Sequence, residues 1–305
     1  LALALTLQAE RPQPSHAVAI PSSGTQSPVS SLAQRVMDRM QRTERGPRHN
    51  APAFYSPAGV RLETAEQLLS SRCLLLFEGG IWVWPAVEVG HSRQVLGLHG
   101  LTERAVNLTT LSLFPRVLLA SDFLTEQEAR LIIDRADGHM FKSGVSLKAK
   151  DQGKASSEYR TSSQIQVLRY HEYEHYTAHH DFFDPGEYQG RDREGGYANN
   201  RLATVFFYLN EPAKGGATGF PRAGKLEQPR DFLDCSRGLS VPPQRLAVLL
   251  FYSMLPNGEF DQTSLHAGCD VIEGTKWAAN FWFWNQMQSR GSNKMAGGPS
   301  AAVAR

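Results

Sequence analysis

The densest group of potential metal ligands lies between Tyr170 and Asp181, where four histidines and one aspartate fall within eleven residues. Residues two apart on a β-strand project to the same face, so His179 and Asp181 can offer an imidazole and a carboxylate to one metal ion. A third ligand must come from elsewhere in the chain. Two histidines and one carboxylate leave three coordination positions open, which suits non-haem Fe(II) with a co-substrate and O₂. The other histidines of the run are interpreted as hydrogen-bond partners in a polar loop: His171, His175 and His180.

A second group of residues supplies that third ligand. The run SLHAGC at 264–269 contains His266, and Lys276 follows ten residues later. A lysine placed one strand later can reach the far carboxylate of a bound dicarboxylic acid, because its ammonium is a compact charge on a long stem. The apolar run WAANFW at 277–282 favours burial of this lysine, and a buried ammonium needs an anionic partner. An exposed lysine is the alternative interpretation.

The elements that must position these residues are mostly strands. From about Gln164 the pattern predicts strands at 165–170, 202–209, 245–252 and 277–284, separated by Gly- and Pro-rich loops. Upstream, residues 117–119 predict another strand. Thr125 and Glu128 form a capping box that begins a helix, and Gly138 ends it. A few helices followed by many antiparallel strands argue for a mainly β fold, a sandwich or barrel with flanking helices.

The N-terminal part has a different composition. Residues 8–60 are rich in Pro, Ser, Gln, Arg and Ala, which predicts a disordered stem, interrupted by a short helix at the spacing of Leu32, Val36 and Met40. Ordered sequence is expected from near Leu62, with a hairpin formed by 73–77 and 81–89 around two glycines. The opening LALALTL looks like the tail of a signal or anchor segment, and a random apolar start fits equally well.

Charge and composition exclude several classes of protein. The 32 Lys and Arg against 30 Asp and Glu give a net charge of +2, which does not favour a nucleic-acid partner. No run of 18 apolar residues is present, so the sequence contains no complete transmembrane helix. Membrane contact is therefore expected only through a possible N-terminal anchor missing from this chain. Three cysteines exclude a disulfide scaffold but allow one bridge with one thiol left over.

Five separated segments together resemble a known family. They are HYTAHHDFF (175–183), RLATVFFYLN (201–210), GGATGFP (215–221), LLFYS (249–253) and SLHAGC followed by GTKW (264–277). In this order and spacing they resemble the catalytic domain of the prolyl 4-hydroxylases, which are Fe(II)- and 2-oxoglutarate-dependent dioxygenases. The resemblance covers about Pro115 to Gln286 and implies a double-stranded β-helix, the jelly-roll core of cupin-like proteins.

The resemblance also implies roles for individual residues and a reaction. Peptidyl proline would be hydroxylated at C4 while 2-oxoglutarate is converted to succinate and CO₂, with L-ascorbate regenerating the enzyme and a proline-rich peptide or protein as substrate. The implied iron ligands are His179, Asp181 and His266. The implied contacts to the distal carboxylate of 2-oxoglutarate are Lys276, Tyr170 and Thr218. The implied lining of the peptide groove is Tyr176, Arg201 and Trp282.

The predicted domain organisation follows from these assignments. It comprises a stem at 1–60, an N-terminal extension packing on the core at 61–114, the catalytic domain at 115–286 and a disordered tail at 287–305. The acidic, Gly-rich stretch from Asp184 to Asn200 is predicted to be a mobile lid. If LALALTL is an anchor remnant, the setting is the endoplasmic reticulum or secretory pathway, where Cys235 and Cys269 can form a bridge and Cys73 stays free. The alternative is three reduced thiols in a cytosolic enzyme.

Three other functions remain open from the sequence. One is the same chemistry on another peptide residue, such as lysine, or on a small molecule. The second is a zinc hydrolase using His179, Asp181 and His266, which would have no need for Lys276. The third is a non-catalytic peptide-binding module of the same fold, which would be expected to lose a ligand. Ala178, Ala217 and Asp270 differ from residues that are common in the family and leave the substrate preference open.

Overall fold

The computed structural model describes residues 3–6, 28–39, 51–57, 59–77, 79–95, 105–140, 165–184, 200–232 and 234–285. The predicted lid, apart from its end residues Asp184 and Asn200, lies outside these ranges, and so does the predicted tail at 287–305. Within the described ranges, no helix combines the length and apolar character needed to cross a membrane.

Two antiparallel sheets form the body of the protein. In spatial order, the larger sheet contains β5 (Ser92–Val95), β6 (Val106–Leu113), β7 (Arg116–Ala120), β14 (Val248–Tyr252), β10 (Arg201–Tyr208), β17 (Lys276–Trp284) and β8 (Gln166–Tyr170). The smaller sheet contains β13 (Leu239–Val241), β12 (Thr218–Phe220), β15 (His266–Gly268) and β9 (Tyr176–His179). A short pair, β11 (Lys214–Gly215) and β16 (Val271–Glu273), lies beside them.

The chain alternates between these two sheets, and this identifies the fold. It runs from β8 to β9 and back to β10, then through β12 and β13 to β14, and finally through β15 to β17. Where the chain passes from one sheet to the other, consecutive strands therefore face each other, whereas β12 and β13 pair within the smaller sheet. Apolar side chains from both sheets fill the space between them; the rings of Phe220 and Phe251, for example, have centroids 5.2 Å apart. This is the predicted double-stranded β-helix, or jelly roll.

The predicted elements of the core are confirmed with small shifts. Helix α3 (Glu126–Asp137) begins at a capping box in which Thr125 accepts from the Glu128 backbone while the Glu128 side chain accepts from the Thr125 backbone, and Gly138 caps its C-terminus. The strand predicted to begin at Arg245 instead begins three residues later. Leu246 has φ 68°, a left-handed conformation that does not continue a strand, and its carbonyl accepts from Leu124.

Ordered structure begins earlier than the sequence predicts. Helix α1 (Pro28–Arg39) confirms the short helix in the predicted stem, with Ala33 and Met37 buried against Phe54. It packs on a sheet of β1 (Leu3–Thr6), β4 (Cys73–Phe77), β2 (Ala53–Tyr55) and β3 (Arg61–Leu62), followed along the chain from β3 by α2 (Ala65–Ser70). Residues 53–55 are all buried, so the predicted start near Leu62 is too late. Residues 8–27 and 40–50 of the predicted stem lie outside the described ranges.

The predicted hairpin of 73–77 with 81–89 is wrong. Strand β4 pairs with β1 and β2 instead, and residues 81–87 form no strand. The Gly79 backbone N–H donates to the Pro256 carbonyl at 2.8 Å, which holds the chain against another loop. Trp82 then packs its ring on Tyr55 and Phe77, with centroids 5.6 and 5.2 Å away. An apolar run without strict alternation thus became core packing rather than a paired strand.

The expected extension at 61–114 contributes directly to the main core. Val83, Val106 and Leu108 belong to the same buried cluster as Ala203 and Tyr252 of the larger sheet. Strands β5, β6 and β7 also continue that sheet beyond β14. Residues on both sides of position 115 therefore share one hydrophobic core.

The predicted disulfide is confirmed. Cys235 and Cys269 are bridged, with Cα atoms 6.1 Å apart and a sequence separation of 34, and the half-buried Cys73 is free. The bridge lies across Gly219, where a Cβ atom would come within 3.2 Å of both sulfurs. A side chain at position 219 would therefore push against the bridge.

Replacing both Cys235 and Cys269 by Ser is expected to lower the free energy of unfolding by about 3 to 4 kcal/mol, because the unfolded chain regains the entropy of an open loop. Urea denaturation followed by tryptophan fluorescence measures the change. Cys73→Ser is the control and should cost less than about 1 kcal/mol. A double variant as stable as the wild-type protein would contradict the stabilising role of the bridge.

Candidate active site

Two neighbouring strands of the smaller sheet bring the predicted metal ligands together. His179 on β9 and His266 on β15 are paired in register, and their ring centroids lie 4.4 Å apart. Asp181 follows just beyond the end of β9. Its Oδ1 atom lies 3.8 Å from His179 Nε2, and its Oδ2 atom lies 3.6 Å from His266 Nε2. One donor atom from each of the three residues lies within 4.8 Å of the others.

Backbone carbonyls orient both imidazole rings. The Nδ1 atom of His179 lies 2.9 Å from the Thr177 carbonyl oxygen, and that of His266 lies 3.0 Å from the Ser264 carbonyl oxygen. A carbonyl oxygen only accepts, so each Nδ1 atom carries the proton. The lone pair of each Nε2 atom is then directed to the side where Asp181 lies. This is the tautomer in which a histidine binds a metal through Nε2.

The electrostatics of the cluster match the protonation states of metal ligands. Burial, with the charge of His266, lowers the pKa of His179 to about 3, so its ring is neutral near pH 7. Burial raises the pKa of Asp181, but the charges of His266, His179 and Arg201 and the Thr204 hydrogen bond outweigh it and lower the pKa to about 2. A neutral imidazole and an ionised carboxylate are the forms that bind a divalent ion. The donor set therefore fits Fe(II).

Lys276 is a buried lysine at the start of β17 in the larger sheet. It is only 2% exposed, and its ammonium donates to the Gly216 carbonyl oxygen at 2.6 Å. Burial lowers the pKa of this lysine to about 7. No ion pair joins it to an Asp or Glu of the described residues. Because a buried charge without a counter-charge is costly, the pocket favours an anion brought by a ligand.

Two tyrosine rings lie near this ammonium. Tyr170 on β8 is the register partner of Lys276, and its ring centroid lies 5.7 Å from the Lys276 Nζ atom. Thr218 is 4% exposed, and its hydroxyl accepts from the Tyr208 hydroxyl at 2.8 Å. Burial raises the pKa of both tyrosines well above the ordinary value of 10, so they stay neutral donors. Tyr170 is thus near Lys276, and Thr218 is linked to it through Tyr208, whose ring centroid lies 5.6 Å from the Lys276 Nζ atom.

The three residues predicted to line a peptide groove border the metal-ligand cluster. The Arg201 guanidinium lies over the Trp282 ring, 3.7 Å from its centroid, and its Nη1 atom is 3.9 Å from Asp181 Oδ1. Trp282 is 8% exposed, so most of its ring is covered. Tyr176 is 38% exposed and packs its ring 4.0 Å from the His179 ring.

Comparison with known proteins decides the family. The model for the 2OG-Fe(II) oxygenase superfamily matches residues 165–284. Probable prolyl 4-hydroxylase 9 of Arabidopsis thaliana is 30% identical in an alignment of length 241 that covers 66% of this chain and 81% of the relative. Probable prolyl 4-hydroxylase 10 of the same plant is 31% identical in an alignment of length 286 that covers 77% of this chain and 96% of the relative. The chain belongs to the prolyl 4-hydroxylase family.

Among solved structures, the viral collagen prolyl hydroxylase of Paramecium Bursaria Chlorella virus-1 is 22% identical, with a TM-score of 0.38. The match covers 56% of this chain and 96% of the viral chain.

As a prolyl 4-hydroxylase family member, the protein is a dioxygenase that uses Fe(II) and 2-oxoglutarate. A zinc hydrolase would leave the buried Lys276 without a use.

The remaining histidines of the motif lie outside the ligand cluster of this prolyl 4-hydroxylase homologue. The Nδ1 atom of His175 is 2.8 Å from Asp270 Oδ1, and the Nε2 atom of His180 is 3.3 Å from the Gln262 carbonyl oxygen. His171 is exposed. These observations agree with the interpretation of all three as local polar residues.

Sequence reasoning missed two buried hydroxyl residues of the site. Tyr208 holds the Thr218 hydroxyl, and Thr204 holds the Asp181 carboxylate. Both lie in the apolar run of β10, where they look like ordinary strand residues. The usable signal was that a buried hydroxyl needs a hydrogen-bond partner, so a Thr and a Tyr in a central strand indicate nearby polar groups.

His266→Ala is expected to abolish high-affinity binding of Fe(II) or Co(II), because three protein ligands leave no spare member. The loss of affinity should exceed about a hundredfold, the upper range for losing an outer hydrogen-bond partner of a ligand. Titration of metal-free protein with Co(II) measures it. His175→Ala, which alters a neighbouring histidine paired with Asp270, is the control and should bind Co(II) normally. Equal binding by both variants would exclude His266 as a ligand.

Proposed function

We propose that this enzyme hydroxylates C4 of proline residues in a peptide, consuming O₂ and 2-oxoglutarate and releasing succinate and CO₂. The observation that carries the proposal is Lys276, a buried ammonium without a carboxylate partner among the described residues, in the same jelly roll as the His-Asp-His cluster. One half of the site attracts a dianion and the other holds a divalent cation. Its relatives bear the name prolyl 4-hydroxylase.

Iron held by His179, Asp181 and His266 would supply the activation of O₂ and the removal of the substrate hydrogen. The residues of this chain bind and orient the other reactants. Lys276 forms a charge-assisted hydrogen bond with the distal carboxylate of 2-oxoglutarate, which is stronger than a bond between neutral groups. Tyr170 and Thr218 donate hydroxyl protons to the same carboxylate. Because Tyr208 donates to Thr218, the Thr218 proton is left to point at the ligand.

The peptide is held on the other side of the metal ligands. Arg201 presents a planar guanidinium to a substrate carbonyl. The guanidinium is held in place because it stacks on the Trp282 ring and lies 4.6 Å from the centroid of the Phe183 ring. Tyr176 offers an exposed aromatic ring for contact with the proline ring. Proline-rich sequences suit such a groove because they are extended before they bind.

L-Ascorbate as reductant and a secretory location complete the proposal. The Cys235–Cys269 bridge supports an oxidising compartment such as the endoplasmic reticulum, because disulfides persist there. Ascorbate follows from the resemblance to the family.

A peptide assay with two products tests the proposed function. Protein loaded with Fe(II) is given 2-oxoglutarate, ascorbate and a poly-proline peptide, and both succinate and 4-hydroxyproline are measured. We expect equal amounts of the two products and none without iron. A lysine peptide of the same length distinguishes other targets: hydroxylation of lysine in place of proline would overturn the proposal. Peptide binding without succinate release would instead indicate a binding module.

Lys276→Met is expected to raise the KM for 2-oxoglutarate by at least tenfold and to remove the pH dependence of its binding. The pKa of Lys276 is about 7 in the free protein against an ordinary value of 10.5, so above pH 7 the ligand must bind together with a proton. Wild-type affinity for 2-oxoglutarate should therefore fall by about tenfold between pH 7 and 8.5. Calorimetric titration of the Mn(II)-loaded protein measures it.

The Lys276 ammonium also affects the free energy of unfolding, and the direction of its effect with pH is fixed. Between pH 7 and 10.5 the unfolded chain holds the Lys276 proton more than the folded chain does, so this group makes the free protein more stable as the pH rises through that window.

Lys225→Met is the control for the binding experiment, since the Lys225 ammonium lies on the Phe114 ring. A Lys276→Met variant that retains the wild-type pH dependence of binding would exclude this role.

Arg201→Lys is expected to raise the KM for the peptide by about tenfold while leaving the KM for 2-oxoglutarate unchanged. The lysine keeps the charge but loses the flat stacking on Trp282, which is worth about 1 to 2 kcal/mol when desolvated. Steady-state kinetics with each substrate varied in turn separates the two constants. Arg245→Lys, which changes an exposed arginine paired with Glu126, is the matched control. A change confined to 2-oxoglutarate would reassign Arg201.

A further inference from the structure

Thr204 on β10 reaches the metal-ligand cluster from the larger sheet. It is 1% exposed, and its hydroxyl donates to Asp181 Oδ2 at 2.5 Å. The direction of this bond is fixed, because an ionised carboxylate has no proton to donate. One oxygen of Asp181 is therefore engaged by the protein. The other, Oδ1, lies 3.8 Å from His179 Nε2 and faces the charge of Arg201 at 3.9 Å.

Asp181 needs an external support that the two histidines do not. His179 and His266 are held by their strand pairing and by carbonyl groups two residues earlier in the chain. Asp181 lies beyond the last ladder pair of β9. A carboxylate there can rotate about its side-chain bonds unless a neighbour fixes it. Thr204, from the opposite sheet, is placed to do so.

The position of Thr204 in the sheet explains why its hydroxyl is so well defined. Its register partners are Phe251 on β14 and Trp282 on β17, so large rings flank it on both sides. A β-branched side chain in such surroundings has little rotamer freedom. A buried hydroxyl is also costly without a partner, and Asp181 provides that partner.

We propose that Thr204 is a positioning residue that makes Asp181 a one-oxygen ligand. With Oδ2 held by the hydroxyl, Oδ1 is the oxygen left for the metal. A carboxylate that used both oxygens would fill a fourth coordination position and leave two where three are needed, two for 2-oxoglutarate and one for O₂. This inference rests on the proposed metal site and extends it to a residue outside the ligand set.

Two variants of Thr204 test the proposal. Thr204→Val removes the hydroxyl while keeping the shape of the side chain, and Thr204→Ala removes it without a methyl group against the carboxylate. Metal-free protein is titrated with Co(II), and each variant is expected to bind about ten- to a hundredfold more weakly than wild type, the range for outer partners of metal ligands. Thr204→Ser restores the hydroxyl and is expected to recover most of that affinity.

Turnover provides a second readout. With Oδ2 released, succinate should form in excess over 4-hydroxyproline, because a disturbed coordination sphere decouples 2-oxoglutarate consumption from substrate oxidation. Thr110→Val is the matched control: Thr110 is also 1% exposed in the same sheet, but its hydroxyl is buried without a hydrogen-bond partner among the described residues. It should leave Co(II) affinity and the product ratio unchanged.

The results of the Co(II) titration distinguish the role of Thr204 from the roles of the other site residues. Wild-type Co(II) affinity in either folded variant, Val or Ala, would overturn the proposal, and thermal melting shows which variants are folded. A loss of affinity that Ser does not recover would also overturn it, because the effect would then come from packing. The Co(II) titration needs no turnover, so it tests Thr204 even if the chain hydroxylates no proline peptide.

Discussion

The in-register pairing of His179 with His266 is the constraint on which the site depends. Two chain segments separated by more than eighty residues meet only because β9 and β15 are neighbours in the smaller sheet. That adjacency requires the chain to alternate between the two sheets through β10, β12, β13 and β14. The jelly-roll topology is therefore a condition of the chemistry, and a change of register by one residue would turn one imidazole to the opposite face.

The His-Asp-His cluster and Lys276 carry opposite charges. Asp181, held ionised, faces the neutral imidazole of His179, so the cluster attracts a cation. Lys276 has no carboxylate partner among the described residues, so its surroundings attract an anion. Neither charge is fully compensated in the free protein, which costs folding stability. Iron and a dicarboxylate would supply the missing charges, which explains why a fold with an otherwise apolar core keeps both.

The parts of this site that sequence reveals are those whose residue types are unusual in their surroundings. A histidine-rich run and a lysine before an apolar strand stand out, and the structure brings them together. Thr204 and Tyr208 were missed because their functions arise from contacts across sheets, which no local pattern records. The predicted hairpin around Gly79 failed for a related reason: the loop at Pro256 fixes that turn from far away in sequence.

The disulfide restrains the geometry of the site. Cys269 lies three residues after His266, and its bridge to Cys235 crosses directly over Gly219 in β12, the strand that pairs with β15. The loop that carries Cys235 is also tied to β9, since the Ala178 backbone donates to the Phe232 carbonyl at 3.0 Å. One covalent link therefore restrains both strands that carry the histidines. The restraint acts on strands that are short: β9 has four residues and β15 has three. Such short strands share few ladder hydrogen bonds, so the covalent link adds to them.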